Sequence, residues 1–159
     1  MASVVELKNM LCKNAEIAPL IVPSARFEIF IDLNGDGKAD FAFIDSSCDL
    51  TGKGKVDTFA IDLGKDGEFD LYLKDSDGNW VPDEIYYFED GKTELNAKSD
   101  ETHHKIIEKH LKKPAGIIVK AMTPLVFGKC KAEDFKANMK SYIDGVLAAL
   151  AELGKAAGK

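Results

Sequence analysis

Residues 27–44 read Phe27-Glu-Ile-Phe-Ile-Asp-Leu-Asn-Gly-Asp-Gly-Lys-Ala-Asp-Phe-Ala-Phe-Ile44. Phe27, Ile29 and Ile31 fall on one face of an extended chain, while Glu28, Phe30 and Asp32 fall on the other. A period of two marks a strand. The Asn-Gly and Asp-Gly pairs that follow supply the positive φ and local hydrogen bonding of a tight reversal. The stretch therefore predicts two short strands joined by an acidic turn.

The same pattern continues along the chain. Apolar segments recur at Phe41 to Ile44, Val56 to Ile61, Phe69 to Leu73 and Ile85 to Phe88, each bounded by Asp and Gly clusters. The intervening turns align: Asp32-Leu-Asn-Gly-Asp-Gly-Lys-Ala-Asp40, Asp49-Leu-Thr-Gly-Lys-Gly-Lys-Val-Asp57, Asp62-Leu-Gly-Lys-Asp-Gly-Glu-Phe-Asp70 and Asp75-Ser-Asp-Gly-Asn-Trp-Val-Pro-Asp83. Their first aspartates are 17, 13 and 13 residues apart. A unit this short fits one strand plus one turn and is far below the length of a propeller blade. The expected topology is an antiparallel meander of about five short strands. Successive turns would then alternate between the two ends of the sheet, placing the first beside the third and the second beside the fourth.

Helical patterns flank this repeat. Ser3-x-x-Glu6 is a capping box, followed by Val4, Leu7 and Leu11 on one helical face. Past Gly91 the pattern turns helical again. Asp100 to Lys113 opens on acids and closes on Lys112-Lys113-Pro114, matching the helix dipole and a proline stop. Ile117 to Ala121 fits either a sixth strand or a buried linker, and Thr123-Pro124 fits a cap and first helical position. From Ala132 to Leu153, Phe135, Met139, Tyr142, Ile143, Val146, Leu147, Leu150 and Leu153 recur at intervals of three and four. The expectation is one α+β domain over residues 1–159. It comprises an N-terminal helix and linker at 1–24, the repeat meander at 25–91 and a helical part at 99–155, with helices packed on one sheet face.

Composition narrows the function classes. A chain of 159 residues with 45% hydrophobic residues can bury a core without help from metal or disulfide. A net charge of −6 with a single arginine, Arg26, argues against nucleic acid, whose phosphates require clustered bases. The longest apolar stretch, Ala115 to Phe127, contains Lys120 and is too short to span a membrane. Cys12, Cys48 and Cys130 are odd in number and lack C-x-x-C spacing, so neither a disulfide framework nor a zinc knuckle is indicated. The start has no basic segment followed by an apolar run, which gives a cytoplasmic expectation. A secreted chain whose signal has been removed is the alternative.

The first turn carries the sharpest chemical signal. Asp32, Asn34, Asp36, the Lys38 carbonyl and Asp40 occupy positions one, three, five, seven and nine of a calcium loop, with Gly37 at the bend in position six. Hard oxygen ligands on alternate residues wrap one side of Ca²⁺ while the backbone turns around it. The turn resembles EF-hand and dockerin loops, and its β-strand flanks are similar to FG-GAP propeller and thrombospondin type 3 repeats. That resemblance implies Ca²⁺ held in a turn as a stiffener, and it covers nine residues per turn.

Several positions depart from the scheme. Position twelve, a bidentate Glu in the EF-hand, is Phe43 here, so affinity is expected near the weak end, about 10⁻⁴ M. The second turn places Lys53 at position five and is expected to be metal-free. The third keeps Asp62, Asp66 and Asp70 but has Gly64 at position three. The fourth offers Asp75, Asp77, Asn79 and Asp83, with Trp80 in place of glycine.

His103 and His110 share a helix face, yet there is no H-E-x-x-H spacing, and Ile106, Ile107 and Leu111 mark the region as packing surface. Gly91-Lys92-Thr93 lacks the glycine of a P-loop cradle, since Tyr86 stands at that position, and reads as a turn. No nucleophile elbow or dinucleotide fingerprint is present. The leading reading is therefore a non-enzymatic, calcium-binding or calcium-stabilised domain. Its first rival is an acidic interaction module, an inhibitor or adaptor, facing a basic protein partner without metal. Its second is a metal-assisted hydrolase. The apolar C-terminal stripe with Gly145, Ala148, Ala149 and Ala151 would serve a homodimer as readily as a core.

Overall fold

The computed structural model of the chain describes residues 3–62, 68–75, 80–89, 92–97, 101–126 and 131–156. The α+β class and the meander are both borne out. Seven strands pair antiparallel in sequence order: β1 (Ile21–Val22), β2 (Glu28–Ile31), β3 (Phe41–Ile44), β4 (Thr58–Ile61), β5 (Leu71–Lys74), β6 (Glu84–Glu89) and β7 (Lys92–Ala97). Three helices accompany them: α1 (Val4–Lys13), α2 (Glu101–Val126) and α3 (Ala132–Ala156).

Two strands exceed the expected five, so the sheet runs from 21 to 97 instead of 25 to 91. β1 has two residues, too few for alternation to be visible. β7 lies where the sequence pattern predicts a helix and, at Lys92-Thr93, a turn. Its segment Lys-Thr-Glu-Leu-Asn-Ala has one large apolar residue, Leu95, so it carries no period; its pairing with β6 defines it.

One sheet face is the core. Ile29, Ile31, Phe41, Phe43, Phe59, Ile61, Leu71, Leu73 and Ile85 are buried there together with Val4, Leu7 and Leu11 of α1 and Phe135, Met139, Tyr142 and Val146 of α3. Each large apolar side chain removed from water contributes about 1.5–3 kcal/mol, so this face dominates the stability of the fold. The alternation of Phe41 and Phe43 with Ala42 fixes the register, because a one-residue slip would turn the phenylalanines to the other face.

The expected capping residue is in place: the Ser3 hydroxyl accepts a hydrogen bond from the Glu6 N–H at 3.1 Å. The N–H groups of Val4 and Val5, unsatisfied within the helix, donate to the Gly54 and Gly52 carbonyls at 3.0 Å each. The second turn thereby holds the start of α1.

The helix predicted to stop at Pro114 continues to Val126, so Ile117 to Ala121 is neither strand nor linker, and Thr123-Pro124 does not start a new turn. Proline within a helix costs about 3 kcal/mol, because it removes a hydrogen bond and crowds the preceding turn. Burial of Ala115 and Ile118 just beyond it offsets that cost. Pro114 also leaves the His110 carbonyl without its helical donor, and α3 packs against α2 at this point. A Cβ on Gly145 would stand 2.8 Å from that carbonyl oxygen, so glycine is what allows the approach. Ala149 is buried, whereas Ala148 and Ala151 are exposed. Farther along, Glu152 accepts from Lys109 at 2.9 Å and pairs with His110 at 3.2 Å. His110 therefore serves the seam between α2 and α3; the side chain of His103 lies outside the described residues. No described helix is long and apolar enough to cross a membrane.

Candidate metal centre

Each of the strands β2 to β5 is followed directly by an aspartate: Asp32, Asp45, Asp62 and Asp75. All four are buried, at 7%, 3%, 6% and 1% exposure. A buried carboxylate requires hydrogen-bond donors or a cation, so their placement identifies the turns as the chemically loaded part of the molecule. Each turn closes in one way, with a second aspartate donating its N–H back to the end of the preceding strand. Asp40 donates to Ile31 at 2.8 Å, Asp57 to Ile44 at 3.1 Å, Asp70 to Ile61 at 3.1 Å and Asp83 to Lys74 at 2.7 Å.

This corrects the phase of the repeat. The second turn begins at Asp45, four residues earlier than Asp49, and spans 13 residues to Asp57 where the other three span nine. The sequence signal for this phase is the identical tripeptides Phe30-Ile31-Asp32 and Phe43-Ile44-Asp45, which glycine spacing does not align. The predicted neighbours are found: Asp62 N–H donates to the Asp40 carbonyl at 3.1 Å, and Asp75 N–H to the Asp57 carbonyl at 2.7 Å. Turns one and three share one end of the sheet, and turns two and four share the other.

In the first turn, the Asp32 carboxylate accepts from Asn34 N–H at 3.2 Å, Gly35 N–H at 2.8 Å and Gly37 N–H at 2.8 Å. The Asn34 side-chain oxygen accepts from Asp36 N–H at 3.2 Å, and Asp36 accepts from Lys38 N–H at 2.9 Å. Asp40 accepts from Leu33 N–H at 2.7 Å and Asn34 N–H at 3.3 Å. Gly37 takes φ +83°, a left-handed value that costs most L-residues about 1–2 kcal/mol. No atom crowds its missing Cβ, so conformation alone calls for glycine here.

These bonds bring Asp32, Asp36 and Asp40 together, each offering one carboxylate oxygen within 4.8 Å of the others. Ligands on opposite sides of Ca²⁺ stand about 4.6–5.2 Å apart, so the three oxygens fit the shell of one cation. Burial pushes the Asp32 carboxyl upward, but the N–H groups of Gly37, Gly35, Asn34 and Asp36 outweigh it and hold this group below its usual range. Asp40 goes the other way. Burial raises it, the Leu33 and Asn34 N–H groups offset part of the rise, and the charges of Asp36 and Asp32 add to it. A bound cation would relieve that repulsion.

In the second turn, protein donors surround the buried acid: Asp45 accepts from the Ser47 N–H at 2.9 Å, the Ser47 hydroxyl at 2.7 Å and the Asp49 N–H at 3.3 Å. Of the third turn, Asp62 and Asp70 are described, while Gly64 and Asp66 lie outside the described residues.

The fourth turn repeats the first at its described ends. Trp80 stands where glycine was expected, yet it takes the left-handed conformation at φ +67°, and its N–H donates to Asp75 at 2.8 Å as Gly37 does to Asp32. Its ring stacks on Phe59 with centroids 4.6 Å apart and meets Phe43 edge-on at 5.4 Å. The Tyr142 hydroxyl of α3 donates to the Trp80 carbonyl at 2.6 Å. Asp83 is half-buried at the start of β6, and Asp77 and Asn79 lie outside the described residues. Comparison with protein-family models, with curated proteins and with solved structures finds no match.

Proposed function

We propose that this chain is a non-enzymatic calcium-binding domain. The first turn holds Ca²⁺ through Asp32, Asn34, Asp36, the Lys38 carbonyl and Asp40, and the fourth turn is a second loop of the same kind through Asp75, Asp77, Asn79 and Asp83. The observation that carries this reading is the convergence of the Asp32, Asp36 and Asp40 carboxylates within 4.8 Å. The ion's role is to neutralise repelling acids and lock a turn at the end of the sheet. Phe43 at position twelve is buried in the core at 1% exposure and offers no ligand, which keeps affinity near 10⁻⁴ M.

Calorimetric titration with Ca²⁺ after chelator treatment tests this directly. At an excess of about 100 Kd the ion stabilises by roughly 2.7 kcal/mol, read as a rise in melting temperature. Asp36→Asn keeps the shape and removes a charge, so its rise should be clearly smaller. No heat and no melting shift, or an equal shift in the variant, would refute the calcium reading.

The second reading is an acidic protein-interaction module facing a basic partner. Its support is that backbone N–H groups already satisfy the Asp32 and Asp40 carboxylates, so the turn folds as a hairpin on its own hydrogen bonds. Under that reading the exposed acids of the turns, such as Asp36 and Glu68, supply the surface charge, and salt-sensitive partner binding would be unchanged by chelator.

A further inference from the structure

A loop that lacks its twelfth ligand leaves coordination positions on Ca²⁺ for something else. Beside the first turn lies a cavity of about 450 Å³, formed between that turn and α3. Asn34 and Asp40, two of the proposed ligands, form one wall, and Lys136 and Lys140, one helical turn apart, line it from α3. Among the described residues neither ammonium is paired with a carboxylate. Ile143 and Leu147 give the cavity an apolar side, and Leu147 is 43% exposed, unusual for a leucine on the buried stripe of a helix.

The charges determine what fits. Asp40, Asp62 and Asp144 line the cavity against two lysines, so an anion entering the calcium-free protein meets a net negative wall. A divalent ion in the first turn cancels that excess and leaves the lysines to act on the anion. An oxygen of the same anion would be within reach of such an ion, because Asn34 and Asp40 belong both to the cavity wall and to the proposed ligand set.

We propose that this cavity binds a small organic carboxylate in a Ca²⁺-dependent manner. The carboxylate lies between the ion of the first turn and the Lys136 and Lys140 ammoniums, with its apolar body on Ile143 and Leu147. The proposal rests on the calcium reading of the first turn. Because linkage is reciprocal, the carboxylate must tighten Ca²⁺ by the same factor by which Ca²⁺ tightens the carboxylate.

Hexanoate is a suitable probe, with acetate as the control lacking an apolar body. The full chain is titrated calorimetrically with each, in millimolar Ca²⁺ and in chelator, and with Ca²⁺ in the presence and absence of hexanoate. Hexanoate should bind the Ca²⁺-loaded protein at least about tenfold tighter than the chelated one, and tighter than acetate. K136Q/K140Q, changing two side chains at the surface of α3, should lose about tenfold in hexanoate affinity while its affinity for Ca²⁺ alone does not fall, because two like charges beside the ion are removed. Hexanoate binding that is absent with Ca²⁺ bound, indifferent to chelator, or unaffected in K136Q/K140Q overturns the proposal while leaving the calcium reading intact. A protein that takes up no Ca²⁺ at all overturns both.

Discussion

At their described positions the first and fourth turns share a buried first aspartate, a closing hydrogen bond and a left-handed sixth residue, and they differ in what surrounds that residue. In both, the N–H of the sixth residue, in left-handed conformation, donates to the carboxylate of the first. Gly37 does this in open space, with no atom near the position of its missing Cβ. Trp80 does it at the centre of an aromatic cluster, its ring on Phe59 and its carbonyl held by Tyr142. A left-handed residue costs about 1–2 kcal/mol unless it is glycine. Burial of an indole is worth more than that, so the fourth turn tolerates the cost and becomes part of the core. Thus one turn geometry can be reached by removing a side chain or by anchoring one, and only the first way leaves the turn free of the core.

The sharpest test of this contrast is Trp80→Gly, which gives the fourth turn the residue of the first. It should relieve the left-handed strain but lose a ring whose removal costs about 3–5 kcal/mol, for a net destabilisation near 3 kcal/mol in urea unfolding. An unchanged or increased stability would show that the indole anchors nothing.

Next in size is Tyr142→Phe, which leaves the Trp80 carbonyl without its donor in a buried site and should cost about 1–3 kcal/mol. This variant also has a pH signature. Burial, and then the charge of Asp75, hold the Tyr142 hydroxyl well above its ordinary value of 10.0. The folded state therefore keeps its proton where the unfolded chain has lost it. That stability is full below pH 10 and is lost as pH rises above it. Alkaline unfolding should accordingly be shallower in Tyr142→Phe than in the parent, and parallel curves would contradict the assignment.

Gly37→Ala probes the free turn. With space for a methyl but the wrong φ, it should cost about 1–2 kcal/mol, measured by the same unfolding experiment. A neutral result would mean that the first turn relaxes to another conformation at no cost.

The smallest effect is expected from Asp32→Asn under acid. Asp32 is held below its ordinary value, so its contribution is present above the unfolded carboxyl pKa of about 3.9 and is lost as pH falls through the lowered folded value. Acid unfolding followed by circular dichroism should show a shallower limb below pH 4 in the variant.

The residues themselves show how far a sequence reading reaches. Phe41, Ala42 and Phe43 alternate because a sheet with one buried face demands it, and the spacing of the acidic turns sets strand length, so the meander and its paired turns were legible. The α1 cap at Ser3 and the α3 stripe were legible for the same local reason. Asp45 is not legible from glycine spacing, which puts the start of the second turn four residues late; the strand end preceding it is the stronger marker.

By itself, the sequence determined the α+β class, the antiparallel order, the helix faces and the candidate ligand set of the first turn, all of which follow from short-range periodicity and turn chemistry. Tertiary structure alone decided that α2 runs through Pro114, that β7 is a strand, that Trp80 serves as a left-handed anchor and that Lys136 and Lys140 come to stand beside Asp40. Each of these depends on energy gained between segments distant in the chain, such as the burial of Ala115 and Ile118, the pairing with β6, the stacking on Phe59 and the packing of α3 against the turns. Local propensity contains no term for any of them.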